Sequence, residues 1–196
     1  MKIELMHMQG IEPALIGVGL SYGLTSEHSF LRYVPEEKKN RIVQIAGNLA
    51  KKGGGEDKFL RQIICWWDVK APRFWWCEAD TYKVATTAQS ESTMHTIMHR
   101  ELTQDDFEYG ISPAYLDYLN SVIAEYRASR DEELFLELKN GLPEGFLQRR
   151  VWSLSLANMK NIYAQRKNHR LPQWHQVCQA FVEETPIWLR GIYGQD

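Results

Sequence analysis

The stretch "CEADTYKVATTAQSESTMHTIMHREL", Cys77 to Leu102, decides how this chain is read. It lies between a cluster of aromatic residues and an amphipathic helical pattern, and it is rich in Ser and Thr but poor in large apolar side chains. Such a run is either a surface loop or a segment whose hydroxyls serve a bound polar group. The flanking residues choose between them.

Upstream, "MKIELM" alternates apolar and polar residues and predicts a first strand. "GIEPALIGVGLSYG" follows, with Pro13 at a position suited to the first turn of a helix. "VPEEKKNRIVQIAGNLAKKGGG" predicts a helix: Pro35 opens it, and Glu36 and Glu37 favour its positive end. Lys51 and Lys52 sit at its negative end, and Gly53-Gly54-Gly55 stops it. "KFLRQIICWWDVKAP" is β-rich by residue type and ends before Pro72, after which "PRFWWCEADTY" predicts a short helix. Downstream, "ISPAYLDYLNSVIAEYRASRDEELFLELKNGLP" carries a helical repeat with Ser112 as cap and Pro113 in the first position. "FLQRRVWSLSLANMKNIYAQRKNH" comes next, and then "LPQWHQVCQAFVEETP", a helix opened by Pro172 and closed before Pro186. With no internal repeat and no long linker, residues 1–196 read as one α+β domain with a helix-rich C-terminal half.

The chain has 196 residues and a formal net charge of −2, so bulk charge gives no case for a nucleic-acid partner. Basic clusters at Lys51-Lys52, Arg149-Arg150 and Arg166 to Arg170 are suited to a small phosphorylated molecule instead. Three widely spaced cysteines, Cys65, Cys77 and Cys178, argue against a disulfide framework and fit a reducing cytoplasm. No apolar run reaches the length of a membrane span.

Each reactive-looking group has a plain alternative. His95 and His99 are four apart and would share a helix face with Glu91, but no third ligand is evident and no metal site is expected. Cys77 and Cys178 fall in apolar-patterned segments and are expected to be buried. The pairs Trp66-Trp67 and Trp75-Trp76 are expected to place one ring in the core and the other at its edge. Arg166 follows the apolar positions Ile162 and Tyr163, and an inward arginine needs an anionic or carbonyl partner.

The order of segments resembles the flavin-dependent thymidylate synthases. "DVKAPRFWWCEADTYKVATTAQSESTMH" lies without a gap on that family's segment of K-A-P-x-F, R-H-R-x-x-S and S-x-R-Y, with Val69 to Pro72 and Phe74 coinciding. "KNGLPEGFLQRRVWSLSLANMKNIYAQR" is similar to the family's R-x-x-L-P, N-x-R and helix-end Arg, and "LPQWHQVCQAF" to its A-Q-W-E-I-R helix. The resemblance implies a central twisted β-sheet flanked by helices, and a tetramer with sites between subunits. It also implies FAD and methylenetetrahydrofolate as cofactors and a dUMP-like pyrimidine nucleotide as substrate.

Carried over residue by residue, the flavin side is depleted. Thr81, Tyr82 and Lys83 stand in place of Arg-His-Arg, Thr86 keeps the following hydroxyl, and Ser155-Leu156-Ala157 replaces N-x-R although Asn161 remains. Lys83, Thr86 and Asn161 are therefore the residues left for a cofactor. Each lost charged hydrogen bond removes roughly 1.5–3 kcal/mol, which speaks against FAD held in the family's way. The nucleotide side keeps more: Lys139 replaces the Arg before Leu-Pro, and Arg166 is preserved with Gln165 before it. Glu78 stands for a Gln, Gln89 joins the substrate-facing set, and Ser92 and Thr93 fall at S-x-R. The resemblance implies that Lys139 with Ser92 or Thr93 holds the phosphate. It implies that Arg166 is the catalytic cation, stabilising charge on the uracil carbonyls during one-carbon transfer to C5. The alternative is a non-catalytic nucleotide-binding or interaction module on the same fold.

Overall fold

Strand β1 (Lys2–Gln9) ends at Gly10, whose φ of +95° starts helix α1 (Ile11–Ser21). A Cβ at Gly10 would lie 2.1 Å from the carbonyl oxygen of Gln62, so only glycine passes this corner. Helix α2 (Glu36–Ala50) begins after Pro35 with two acidic residues in its first turn, as the sequence predicts. A short 3-10 turn then leads to β2 (Ile64–Pro72) and α3 (Arg73–Ala79). The hydroxyl-rich stretch becomes β3 (Thr86–Ser90), followed by a single turn α4 (Thr93–Thr96). Then come α5 (Pro113–Ser129), α6 (Glu132–Gly141), β4 (Leu147–Ser155), α7 (Leu156–Arg166) and α8 (Pro172–Glu184). This computed structural model describes residues 1–194.

The four strands form one sheet in the order β1-β2-β4-β3. β2 and β4 run antiparallel, with the Leu156 N–H donating to the Ile63 carbonyl at one end and the Arg73 N–H to the Phe146 carbonyl at the other. β3 is an edge strand, continued by the Glu91 N–H, which donates to the Arg149 carbonyl at 2.8 Å.

Cα packing divides the chain into two units. The first comprises Met1–Lys2, Asp68–Lys83 and Ala88–Val151. Its core is the α5–α6 pair: Leu119, Val122 and Ile123 face Phe135 and Leu138, joined by Ile97, Met98, Leu102, Phe107 and Phe146. The single long helical signature is in fact two helices, because Arg130 adopts a left-handed φ of +61° and Asp131 caps the second by accepting from the Glu133 N–H. Ser112 stands at the start of α5 as expected, but its side chain makes no capping bond.

The second unit comprises Ile3–Trp67, Val84–Thr87 and the chain from Trp152. Its core gathers Trp67, Trp152 and Phe181, with the Trp67 and Phe181 ring centres 5.2 Å apart. Lys160 of α7 closes the end of α2: its ammonium donates to the carbonyls of Ala50 and Lys52 and pairs with Asp57 at 2.6 Å. The capping box of Ser155 and Asn158 starts α7, and the Asn158 amide also donates to the Val84 carbonyl at 2.9 Å.

Candidate functional site

In the first unit, the last residues of the edge strand β3 lead to Ser92 and Thr93. Two bonds to β4 pin this point: Glu91 N–H to the Arg149 carbonyl, and Gln148 Nε2 to the Glu91 carbonyl at 2.9 Å. Ser92 occupies the N-cap position of α4, and its carbonyl accepts from the Thr96 hydroxyl. Thr93, the next residue, receives a hydrogen bond of 2.5 Å from the ammonium of Lys139 in the last turn of α6. Lys139 and Thr93, assigned from sequence to one role, are thus in direct contact across 46 residues of chain.

The electrostatics around Lys139 are those of a cation without an acid. Its one recorded polar partner is the neutral Thr93 hydroxyl, among the described residues. Its pKa is lowered from the ordinary lysine value, first by burial and then by the positive charge of Arg73. Arg73, the first residue of α3, is a charged neighbour of Lys139 to which the sequence assigned no role. Its Nη1 donates to the Leu142 carbonyl at 3.0 Å, and its Nη2 lies 3.1 Å from Glu144 Oε1. The available signal was its place inside "KAPRF", where only the flanking residues had been matched.

The other residues assigned to this unit have plainer surroundings. Gln89 and Lys83 are exposed, Glu78 and Ser92 are half-buried, and none of the recorded bonds brings them to Lys139. In the second unit, Arg166 is half-buried with its guanidinium 4.8 Å from the centre of the Trp174 ring. Gln165 Nε2 donates to Asn161 Oδ1 at 3.0 Å, and both residues are exposed; Thr86 is half-buried on β3. A cleft of about 390 Å³ beside α7 and α8 is lined by Tyr163, Lys167, His175, Cys178 and Glu183, and takes in none of these carried-over residues. A second cavity of about 640 Å³ has Gly54, Gly55, Glu56 and Lys58 on its rim, so the glycine run both follows the end of a helix and borders a cavity.

Three expectations are corrected. His95 and His99 do not share a helix face with Glu91, because α4 ends at Thr96 and Glu91 is engaged with β4. Among the described residues no group of three or more His, Cys, Asp or Glu could hold a metal ion. Cys77 is exposed rather than buried, while Cys65 and Cys178 are buried. Trp75 and Trp76 are both fully in the core, their ring centres 4.8 Å apart and nearly perpendicular, and the Trp76 Nε1 is satisfied by the Gln148 carbonyl.

This fold is one that flavin-dependent thymidylate synthases share. The chain superimposes on the flavin-dependent thymidylate synthase ThyX of Helicobacter pylori, solved with FAD and dUMP, with a TM-score of 0.71 at 11% identity and 98% of both chains covered. A second structure of the Helicobacter pylori enzyme, also with FAD and dUMP, gives a TM-score of 0.67 at 12% identity, covering 98% of this chain and 97% of the other. No protein-family model and no curated protein sequence matches the chain. No helix among the described residues is long and apolar enough to cross a membrane.

Proposed function

We propose that this chain is a thymidylate synthase-like protein that binds a pyrimidine deoxynucleotide of the dUMP kind through its phosphate. The Lys139–Thr93 hydrogen bond carries the reading: a partly buried ammonium, with a hydroxyl as its recorded partner, is a ready phosphate contact. Ser92 adjoins it, and Glu78 and Gln89 complete the substrate-facing set on the same unit. Separately, in the second unit, Arg166, held against Trp174, is proposed as a cation for a uracil carbonyl with Gln165 beside it. A fixed guanidinium there would stabilise negative charge developing on the ring, the demand made by one-carbon transfer to C5. The 1–196 span acting as one functional domain, a homotetramer and a cytoplasmic setting belong to the same proposal.

The residues present do not fit FAD held as in the resembling enzymes. Lys83, Thr86 and Asn161 offer one cation and two neutral groups to a pyrophosphate, and Asn161 already accepts from Gln165. Asn158, nearby on α7, is committed to Ser155 and Val84. No step is therefore assigned to flavin, and the same depletion favours, as a second reading, a binding module that retains nucleotide without turnover. Calorimetric titration with dUMP tests the proposal. Binding that falls about tenfold to a hundredfold in Lys139→Met is expected from the loss of one charged hydrogen bond. A protein that gives neither heat nor thermal shift with millimolar dUMP would sink it.

A further inference from the structure

We infer that Arg73 is the second phosphate-binding cation of the Lys139 site, held in place by its bond to the Leu142 carbonyl. The inference rests on the nucleotide reading above and concerns a residue at which the resemblance assigns nothing. Where the family pattern S-x-R places an arginine, this chain has Thr93, so a phosphate dianion would meet one ammonium only. Arg73 supplies charge from another part of the sequence.

Its position is fixed at three points. The Arg73 N–H donates to the Phe146 carbonyl at 3.1 Å, Nη1 donates to the Leu142 carbonyl at 3.0 Å, and Nη2 pairs with Glu144 at 3.1 Å. Leu142 is the C-cap of α6, three residues beyond Lys139, so the guanidinium is anchored at the helix end that carries the ammonium. Two like charges that sense one another in a partly buried setting are unfavourable by themselves and favourable around an anion. The acid now on Arg73 is the weaker tenant: the Glu144 side chain is 56% exposed and touches one guanidinium nitrogen. It can turn into water while the Leu142 bond keeps the guanidinium in place. A phosphate would then take the Nη2 position that Glu144 leaves.

A purely structural Arg73 would stitch Leu142 to Glu144 and nothing more. Titrations of dUMP into the unaltered full chain, Arg73→Gln, Arg73→Lys and Glu144→Gln, each at three salt concentrations, separate the two roles. Arg73→Gln should weaken dUMP at least tenfold and flatten the salt dependence, with Arg73→Lys between it and the unaltered chain. Glu144→Gln should tighten dUMP about threefold or more, because it removes the competing carboxylate. Weakening by Glu144→Gln, or no change with Arg73→Gln, overturns the inference while dUMP binding that depends on Lys139 still stands. If Arg73→Gln does not fold, Glu144→Gln decides alone, since that side chain is exposed. Failure of the unaltered chain to bind dUMP overturns the nucleotide reading and this inference with it.

Discussion

Two glycines on one helix should respond to alanine in opposite directions. Gly17 and Gly19 both lie in the interior of α1, where glycine costs about 1 kcal/mol against alanine. A Cβ at Gly17 would meet nothing nearer than Gln62 Oε1 at 4.0 Å, and the residue borders a cavity of about 150 Å³. A Cβ at Gly19 would lie 2.4 Å from Thr25 Cγ2, 2.8 Å from Thr25 Oγ1 and 3.0 Å from Ile42 Cδ1. Both neighbours are fully buried, and the Thr25 hydroxyl is bound to the Ile16 carbonyl at 2.9 Å. Gly17→Ala should therefore stabilise by about 0.5–1 kcal/mol through helix propensity and unfolded-chain entropy. Gly19→Ala gains the same propensity but pays for overpacking, about 1–3 kcal/mol, and for a disturbed hydrogen bond of about 1 kcal/mol. The net is a loss of about 1–3 kcal/mol. At about 2–4 °C per kcal/mol for a chain of this size, the two melting temperatures should differ by roughly 3–16 °C. Circular dichroism melts of the two variants and the parent decide the matter. Equal stability of the two variants, or a more stable Gly19→Ala, would refute the steric reasoning.

Two further outcomes follow from the second unit. Lys160→Met removes donors from the Ala50 and Lys52 carbonyls and leaves Asp57 without its cation, so urea denaturation should show a loss of about 2–4 kcal/mol, and a loss under 0.5 kcal/mol would make the closure of α2 incidental. Burial pushes the Cys65 thiol up to about 12 and the Cys178 thiol up to about 11, and raises Tyr193 as well. The folded chain then holds protons that the unfolded chain releases above the ordinary thiol value of 9.0, so this contribution is full below pH 9 and is lost as pH rises through the folded values. Unfolding free energy should fall by about 2–4 kcal/mol between pH 8 and pH 10.5, and a thiol reagent at pH 8 should label Cys77 at once but Cys65 and Cys178 only on unfolding.

The fold was largely legible because its elements announce themselves locally. Pro35 with Glu36 and Glu37, Pro113, and Pro172 each open a helix where they were read to do so. β3 was not legible, since "TTAQS" has neither strong alternation nor apolar character, and its strand state depends on pairing with β4. The break at Arg130 was hidden for a related reason: a left-handed residue without glycine leaves no mark in the pattern. Burial was harder than secondary structure. Trp75 and Trp76 are adjacent on a helix, and both fit inside because their faces differ by about 100°, with the Gln148 carbonyl serving one indole. At the candidate site, the resemblance grouped Lys139 with Ser92 or Thr93 and the bond to Thr93 is present, whereas the Arg73–Leu142 bond depends on a turn that leaves no motif in the sequence.

The sheet also sets a timetable for synthesis. β2 and β4 are neighbours, yet the Asp68–Arg149 pair spans 81 residues and the Trp76–Gln148 bond spans 72. At roughly 5–20 residues per second, β2 leaves the ribosome roughly 4–16 seconds before its partner. β1 is already present to cover one edge, while the other edge of "ICWWDV" waits in the open with its two tryptophans. α5 and α6, joined by a two-residue turn, can pair as soon as they emerge, so this helical pair assembles before β4 completes the sheet. The nascent chain is most exposed to aggregation in that interval, and a chaperone that holds extended apolar segments would act there.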